Sequence, residues 1–200
     1  MKAGHPRMRE YEKMISGQLY SGLDPELTRM RHAARRLCDK INRVTTDLRG
    51  KDARLKLCRK LFGRVGKNLW IQPPFYCDYG RNIFLSDNVY MNFNCVILDV
   101  APVTLGANVF LGPNVQIYTA THPLAAEERN RGLESGKAIA IHDNVWIGGS
   151  AVLCPGVTVG EGCVIGAGAV VTKNIPARVV VAGNPARVIK HLPAAAKEVL

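Results

Sequence analysis

Few side chains in this 200-residue chain are candidates for chemistry, and His122 leads them. It stands in Thr121-His122-Pro123, at the base of the segment THPLAAEERNRGLESGKA (121–138), where an otherwise regular pattern breaks. A lone histidine is as a rule structural. However, a loop extruded from a regular wall is where chemistry is expected, and neutral imidazole can take and return a proton near neutral pH. The same loop holds Glu134, a carboxylate able to orient or polarise an imidazole, although a loop glutamate is commonly just solvated. Nucleophilic catalysis finds less support. No Gly-x-Ser-x-Gly elbow is present, and the six cysteines (38, 58, 77, 95, 154 and 163) include no Cys-x-x-Cys pair. Cys95 and Cys163 fall at inward positions of the repeat described next, where cysteine acts as a small hydrophobe. A zinc site of three histidines has too few ligands, because residues 69–174 contain only His122 and His142, so no metal is expected.

The elements that must position these residues repeat every six residues. Ile141, Ile147, Leu153, Val159, Ile165 and Val171 stand six apart without a slip, as do Leu105, Leu111 and Ile117, and Leu85, Met91 and Ile97. Two residues before each stands a second small or β-branched residue, as at Val103, Val109, Val115, Val145 and Ala151. Neither a helix nor a long alternating strand has this period. It fits short strands joined by tight corners, with one aliphatic side chain per face pointing into a narrow interior. Gly and Asn supply the corners, as in Asp87-Asn88, Ala107-Asn108 and Asp143-Asn144. With three faces per turn, the twelve hexads in 83–100, 103–120 and 139–174 make four coils, and 69–80 reads as part of a degenerate extra coil.

The first third reads as helices. Glu10 to Leu19 places Tyr11, Met14, Ile15 and Leu19 on one face. Asp24-Pro25-Glu26 is a helix start, with Asp24 as cap. That helix runs to about Val44 with Leu27, Met30, Ala34, Leu37 and Ile41 buried, and a third spans Asp52 to Phe62. Residues 1–64 are expected to form a helical segment and 65–200 the repeat domain with its loop at 121–138. The net charge of +11 lies wholly in residues 1–67, with 18 Lys and Arg against 7 Asp and Glu. We read this as a solvated helical face rather than a nucleic-acid surface. No apolar run reaches the ~18 residues of a membrane span, and basic Met1 to Arg9 leads into no apolar stretch, so neither a span nor a secretory signal is expected. Cysteine usage points to a reducing cytoplasm.

The repeat resembles the hexapeptide-repeat acyltransferases. KMISGQLY (13–20), DPEL (24–27), CDYGRNIFL (77–85), NFNCVILD (92–99), YTATHP (118–123), NVWIGG (144–149), PGVTVG (155–160) and GNPARVIK (183–190) are similar to the maltose and galactoside O-acetyltransferase branch. The resemblance implies a mainly β fold, a left-handed parallel β-helix with a small N-terminal helical cap. It implies transfer of acetyl from acetyl-coenzyme A to a sugar hydroxyl, by a homotrimer with its sites between subunits, and it places the helical segment 1–64 on the acceptor side with oligomer contacts. An alcohol attacking a thioester must lose its proton, and the matching positions make His122 the base for it. They make Asn92 the donor to the developing oxyanion. Asp78, Tyr90, Asn92 and Asp24 become acceptor candidates, Asp24 being equally well explained as a helix cap. Trp146 and Gly149 would bracket the pantetheine arm, Ala167, Thr172 and Lys173 would contact the coenzyme, and Arg187 and Lys190 would meet its phosphates.

Several departures qualify the match. Ala138 stands where a proline usually ends the loop, Val100 where the galactoside type has an acidic residue, and Gly22 where that type has an acceptor-binding Asp. The last two point to glucose-type acceptors. Two alternatives are another hydroxyl or amine acceptor, such as an oligosaccharide lipid, and a basic binding module on a passive scaffold.

Overall fold

The computed structural model describes residues 8–45 and 50–193, so most of the basic Met1 to Arg9 segment lies outside the described residues. The six-residue period is realised as a three-sided parallel β-helix. Its first face stacks Arg64–Val65, Ile83–Leu85, Val103–Leu105, Ile139–Ile141 and Thr158–Val159. The second stacks Trp70–Ile71, Tyr90–Met91, Phe110–Leu111, Trp146–Ile147, Val164–Ile165 and Val179–Ala182, edged by antiparallel Arg187–His191. The third stacks Phe75–Cys77, Cys95–Leu98, Gln116–Tyr118, Val152–Leu153 and Val170–Val171.

Register follows the hexads: Leu85 pairs with Leu105, Leu105 with Ile141, and Ile141 with Val159, all buried. Each coil thus adds one aliphatic layer per face to a single continuous core. Cys95 and Cys163 lie fully buried in that column, as expected. The degenerate stretch is a complete coil that starts earlier than expected, since Val65, Ile71 and Cys77 keep the interval of six while Gly63 takes an aliphatic place. At the other end, Ile175 bridges to Val159 and Val179–Ala182 joins the second face, beginning a sixth coil.

Three helices cap the N-terminal end. Helix α1 (Glu10–Ile15) is shorter than the sequence implied, because Gly17 turns the chain at φ +75°. Met14 is buried, but Ile15 and Leu19 are exposed, so the expected apolar face reduces to its first half. Helix α2 (Pro25–Arg43) starts as read, with Asp24 accepting from the N–H groups of Glu26 and Leu27. It and α3 (Lys51–Leu61) place Ala34, Cys38, Ile41, Cys58 and Leu61 against the first coil, where Phe62 meets Phe75 edge to face at 5.5 Å. The segment 121–138 is built rather than open. It holds a short helix α4 (Ala126–Asn130) and the strand Leu133–Gly136, which pairs on one side with Ala120–Thr121 and on the other with Tyr20–Ser21 of the N-terminal segment. No helix among the described residues is long and apolar enough to cross a membrane.

Candidate active site

His122 leaves the third face at the corner where the loop begins, next to the pairing of Thr121 with Ser135. That pairing brings the carbonyl of Leu133 to 3.3 Å from His122 Nδ1. A carbonyl only accepts, so this contact favours the proton on Nδ1 and leaves Nε2 with a free lone pair, the form a general base requires. The ring is exposed and can meet a ligand from outside its own chain. Glu134, the next residue, gives its carboxylate to another partner: its Oε2 accepts from the Tyr20 hydroxyl at 2.6 Å. The backbone of the strand, rather than the Glu134 carboxylate, is therefore the hydrogen-bond partner of His122.

Asp78 lies at the same corner two coils earlier. It lines a cavity of about 380 Å³ with Arg35, Cys38, Asp39, Tyr76 and Leu98. Burial pushes its carboxyl up, Arg31 and Arg35 oppose this, and the Glu134 charge adds to it. Arg31 ties the cap to this wall by donating to the Tyr79 hydroxyl at 2.7 Å and the Gly22 carbonyl at 2.7 Å. Thr172 and Lys173 follow the last third-face strand, so they continue the column of Asp78 and His122 towards the C-terminal end.

A second wall occupies a different face. A groove of about 690 Å³ runs along the second face past Tyr90, Asn92, Phe110, Trp146, Gly149 and Ala167. Its floor is bare because neighbouring coils require it: a Cβ on Gly148 would lie 2.6 Å from the Ala167 nitrogen, and one on Gly112 2.6 Å from that of Gly149. Asn92 Oδ1 accepts from the Phe93 N–H at 2.8 Å, which orients the side chain so that its NH₂ group is the free end. Trp146 stands 56% exposed on the wall. Five inter-strand steps of about 4.8 Å each separate the Tyr90 strand from the basic edge strand, roughly 24 Å along the axis. Arg187 and Lys190 stand on that edge, both exposed.

The residues named from sequence thus fall into two columns. His122, Glu134, Asp78, Thr172 and Lys173 gather around the corner after the third face. Tyr90, Asn92, Trp146, Gly149, Ala167, Arg187 and Lys190 belong to the second face. Tyr90 packs on Phe110, with ring centroids 6.4 Å apart, and is not beside Asp78 within one chain. Asp24 is occupied as the cap of α2. Two residues escaped the sequence reading although both lie in quoted motifs: Tyr20 ends KMISGQLY, and Asp99 ends NFNCVILD. Their contacts are long-range, so spacing gave no signal for them.

Comparison with known proteins adds to this geometry. Residues 13–66 match the maltose acetyltransferase hexapeptide capping motif, and 139–173 match the six-repeat bacterial transferase hexapeptide. A galactoside O-acetyltransferase of Lactococcus lactis is 38% identical over 94% of this chain and 90% of its own. A solved maltose O-acetyltransferase from Clostridium difficile superposes with a TM-score of 0.91 at 45% identity, over 94% of this chain and 99% of that one. A hexapeptide-repeat acetyltransferase from Vibrio cholerae, solved in complex with acetyl-coenzyme A, gives 0.85 at 40% identity over 94% and 100% of the two chains.

Proposed function

Because this chain belongs to the maltose and galactoside O-acetyltransferase family, acyltransferases built on a left-handed parallel β-helix of hexapeptide repeats, we propose that it carries acetyl from acetyl-coenzyme A to a hydroxyl of a glucose-type sugar such as maltose. The observation that carries this reading is the His122–Leu133 contact, which in the neutral ring favours the proton on Nδ1 and so leaves the Nε2 lone pair for the acceptor hydroxyl. His122 Nε2 takes the proton of the acceptor hydroxyl as its oxygen bonds to the thioester carbon. The Asn92 NH₂ group donates to the oxyanion that forms. When the intermediate collapses, the C–S bond breaks and His122 returns the proton to the leaving thiolate. No acetyl-enzyme is needed, and burial pushes the thiols of Cys95 and Cys163 up in pKa, away from nucleophilic use.

The two columns support a homotrimer. Stacking the second face of one subunit against the third-face corner of the next would put Asn92 and Trp146 opposite His122 and Lys173. The thioester would then lie at the Asn92 end of the groove, and the nucleotide phosphates at Arg187 and Lys190, roughly 24 Å away by strand spacing. Asp78 and Tyr90, apart in one chain, would meet across that junction on the acceptor side. Val100 and Gly22, in place of acidic residues of the galactoside type, favour a glucose-type ring. The six unpaired cysteines suit a cytoplasmic setting.

The test is His122→Ala, with free thiol release followed over a panel of sugar, amine and lipid-linked acceptors. Turnover should fall roughly a hundredfold or more, with acetyl-coenzyme A affinity little changed. Near-normal turnover would remove His122 from the mechanism. Amine or lipid-linked acceptors outrunning glucose and maltose would replace the sugar assignment.

A further inference from the structure

The N-terminal segment does more than cap the coils: its strand Tyr20–Ser21 forms the outer edge of the small sheet that carries His122. We propose that Tyr20 is a positioning residue for acyl transfer, holding Glu134 and thereby the strand whose Leu133 carbonyl sets the tautomer of His122. The inference rests on the reading of His122 as base.

The geometry is specific on both oxygens of Glu134. Tyr20 is only 1% exposed, so its hydroxyl needs a partner inside the protein, and Glu134 Oε2 is that partner at 2.6 Å. Burial and the adjacent carboxylate push the Tyr20 hydroxyl far above the ordinary phenol range, which keeps it a donor. On the other side, a Cβ at position 22 would come within 2.4 Å of Glu134 Oε1, so Gly22 leaves the space this oxygen occupies. The segment is itself held. Ser21 N–H donates to Glu10 at 2.6 Å, Gly22 N–H to the Gly132 carbonyl at 3.0 Å, and Arg31 donates to the Gly22 carbonyl. Ion pairs among the described residues involve Glu10, Glu12 and Glu26 but not Glu134, so Tyr20 is the donor that fixes this half-buried carboxylate. Without the hydroxyl the carboxylate turns towards water; the strand Leu133–Gly136 keeps its backbone pairings but loses its side-chain anchor next to Leu133, so the Leu133 carbonyl is held less closely to His122 Nδ1.

Tyr20→Phe removes one oxygen and keeps the buried ring. Because the bond involves a charged group, kcat should fall roughly tenfold or more, with KM for acetyl-coenzyme A unchanged. In ¹⁵N-histidine spectra, the share of His122 carrying its proton on Nδ1 should drop. Gly22→Ala, pressing on the other oxygen, should reproduce both effects. Glu134→Gln, which keeps an oxygen to accept from Tyr20, should retain more activity than Glu134→Ala. Tyr20→Phe combined with Glu134→Ala should be no worse than Glu134→Ala alone, because the two act as one unit. Wild-type kcat and tautomer in Tyr20→Phe would overturn the proposal, as would losses that multiply in the double variant. An inactive His122→Ala beside a normal Tyr20→Phe would sink this inference alone, whereas an active His122→Ala would sink the base assignment beneath it.

Discussion

Asp99 is fully buried, yet its carboxylate organises the corner that holds Asp78. Its Oδ1 accepts from the N–H groups of Asp78 at 3.1 Å and Tyr79 at 2.8 Å, and its Oδ2 from Asn82 at 3.3 Å. Burial pushes this carboxyl up to about 7, against the pull of the Tyr79, Gly80 and Asn82 N–H groups and with the Asp78 charge adding to the rise. The folded pKa thus exceeds the unfolded one, which lies near 3.9 for Asp. Between about 4 and about 7 the folded chain holds a proton that the unfolded chain has released. The stabilisation is therefore full below the unfolded value and is lost as pH rises through about 7. Asp99→Asn should flatten this part of the pH dependence. It should also cost roughly 1–3 kcal/mol at pH 5 by setting an NH₂ group against the Asn82 N–H. Urea midpoints of both proteins at pH 5 and pH 8 check this: the gap should narrow at pH 8, and a gap that widens would reverse the sign.

Among the elements, the corner between the first and second faces carries a ladder of amides. Asn68, Asn88, Asn108 and Asn144 all adopt φ near +60°, and each donates its side-chain N–H to the next, ending on Glu161. Asparagine suits this place twice over, since it tolerates the left-handed region and stacks with the coil above. Asn108→Gly keeps the backbone but removes two bonds of 2.9 and 3.0 Å, an expected loss of about 1 kcal/mol for exposed groups. Asn108→Ala adds left-handed strain and should lose about 1–2 kcal/mol more. The order Asn, Gly, Ala in thermal midpoint is the outcome to measure. Alanine equal to glycine would show that backbone strain is not what selects this residue.

For the whole molecule, the decisive matter is that one chain displays the proposed walls of its site, the His122 corner and the Asn92 groove, on different faces. If neighbouring subunits bring them together, His122→Ala and Asn92→Ala chains are each inactive alone but complement when mixed. Random assembly from equal amounts pairs an intact His122 wall with an intact Asn92 wall at about a quarter of the junctions. Activity of the mixed, refolded protein should therefore approach a quarter of wild type. No recovery, in samples whose subunits are shown by mass to have mixed, would place each site within one chain. The same geometry gives the helical cap a role besides covering the first coil, because it brings Tyr20, Gly22 and Arg31 to the corner around Glu134 and Asp78.

The sequence alone determined the coil. A narrow three-sided interior accepts one small apolar side chain per face, so the constraint is local and repeats every six residues, and it appears as Leu105, Leu111 and Ile117 even without a structure. The same regularity made the break at Ala120 to Ala138 visible and drew attention to His122. What escaped the sequence was whatever depends on residues far apart in the chain. The first coil looked degenerate because Gly63 and Cys77 stand at aliphatic positions, and only its packing against α2 and α3 shows that it is complete. Glu134 read as a solvated loop residue or a partner of His122. The fold instead gives it to Tyr20, 114 positions earlier, and gives His122 to a backbone carbonyl. A hydrogen bond across such a separation leaves no periodicity, so only the tertiary structure could decide which atoms face one another, and which face of the coil each wall of the site occupies.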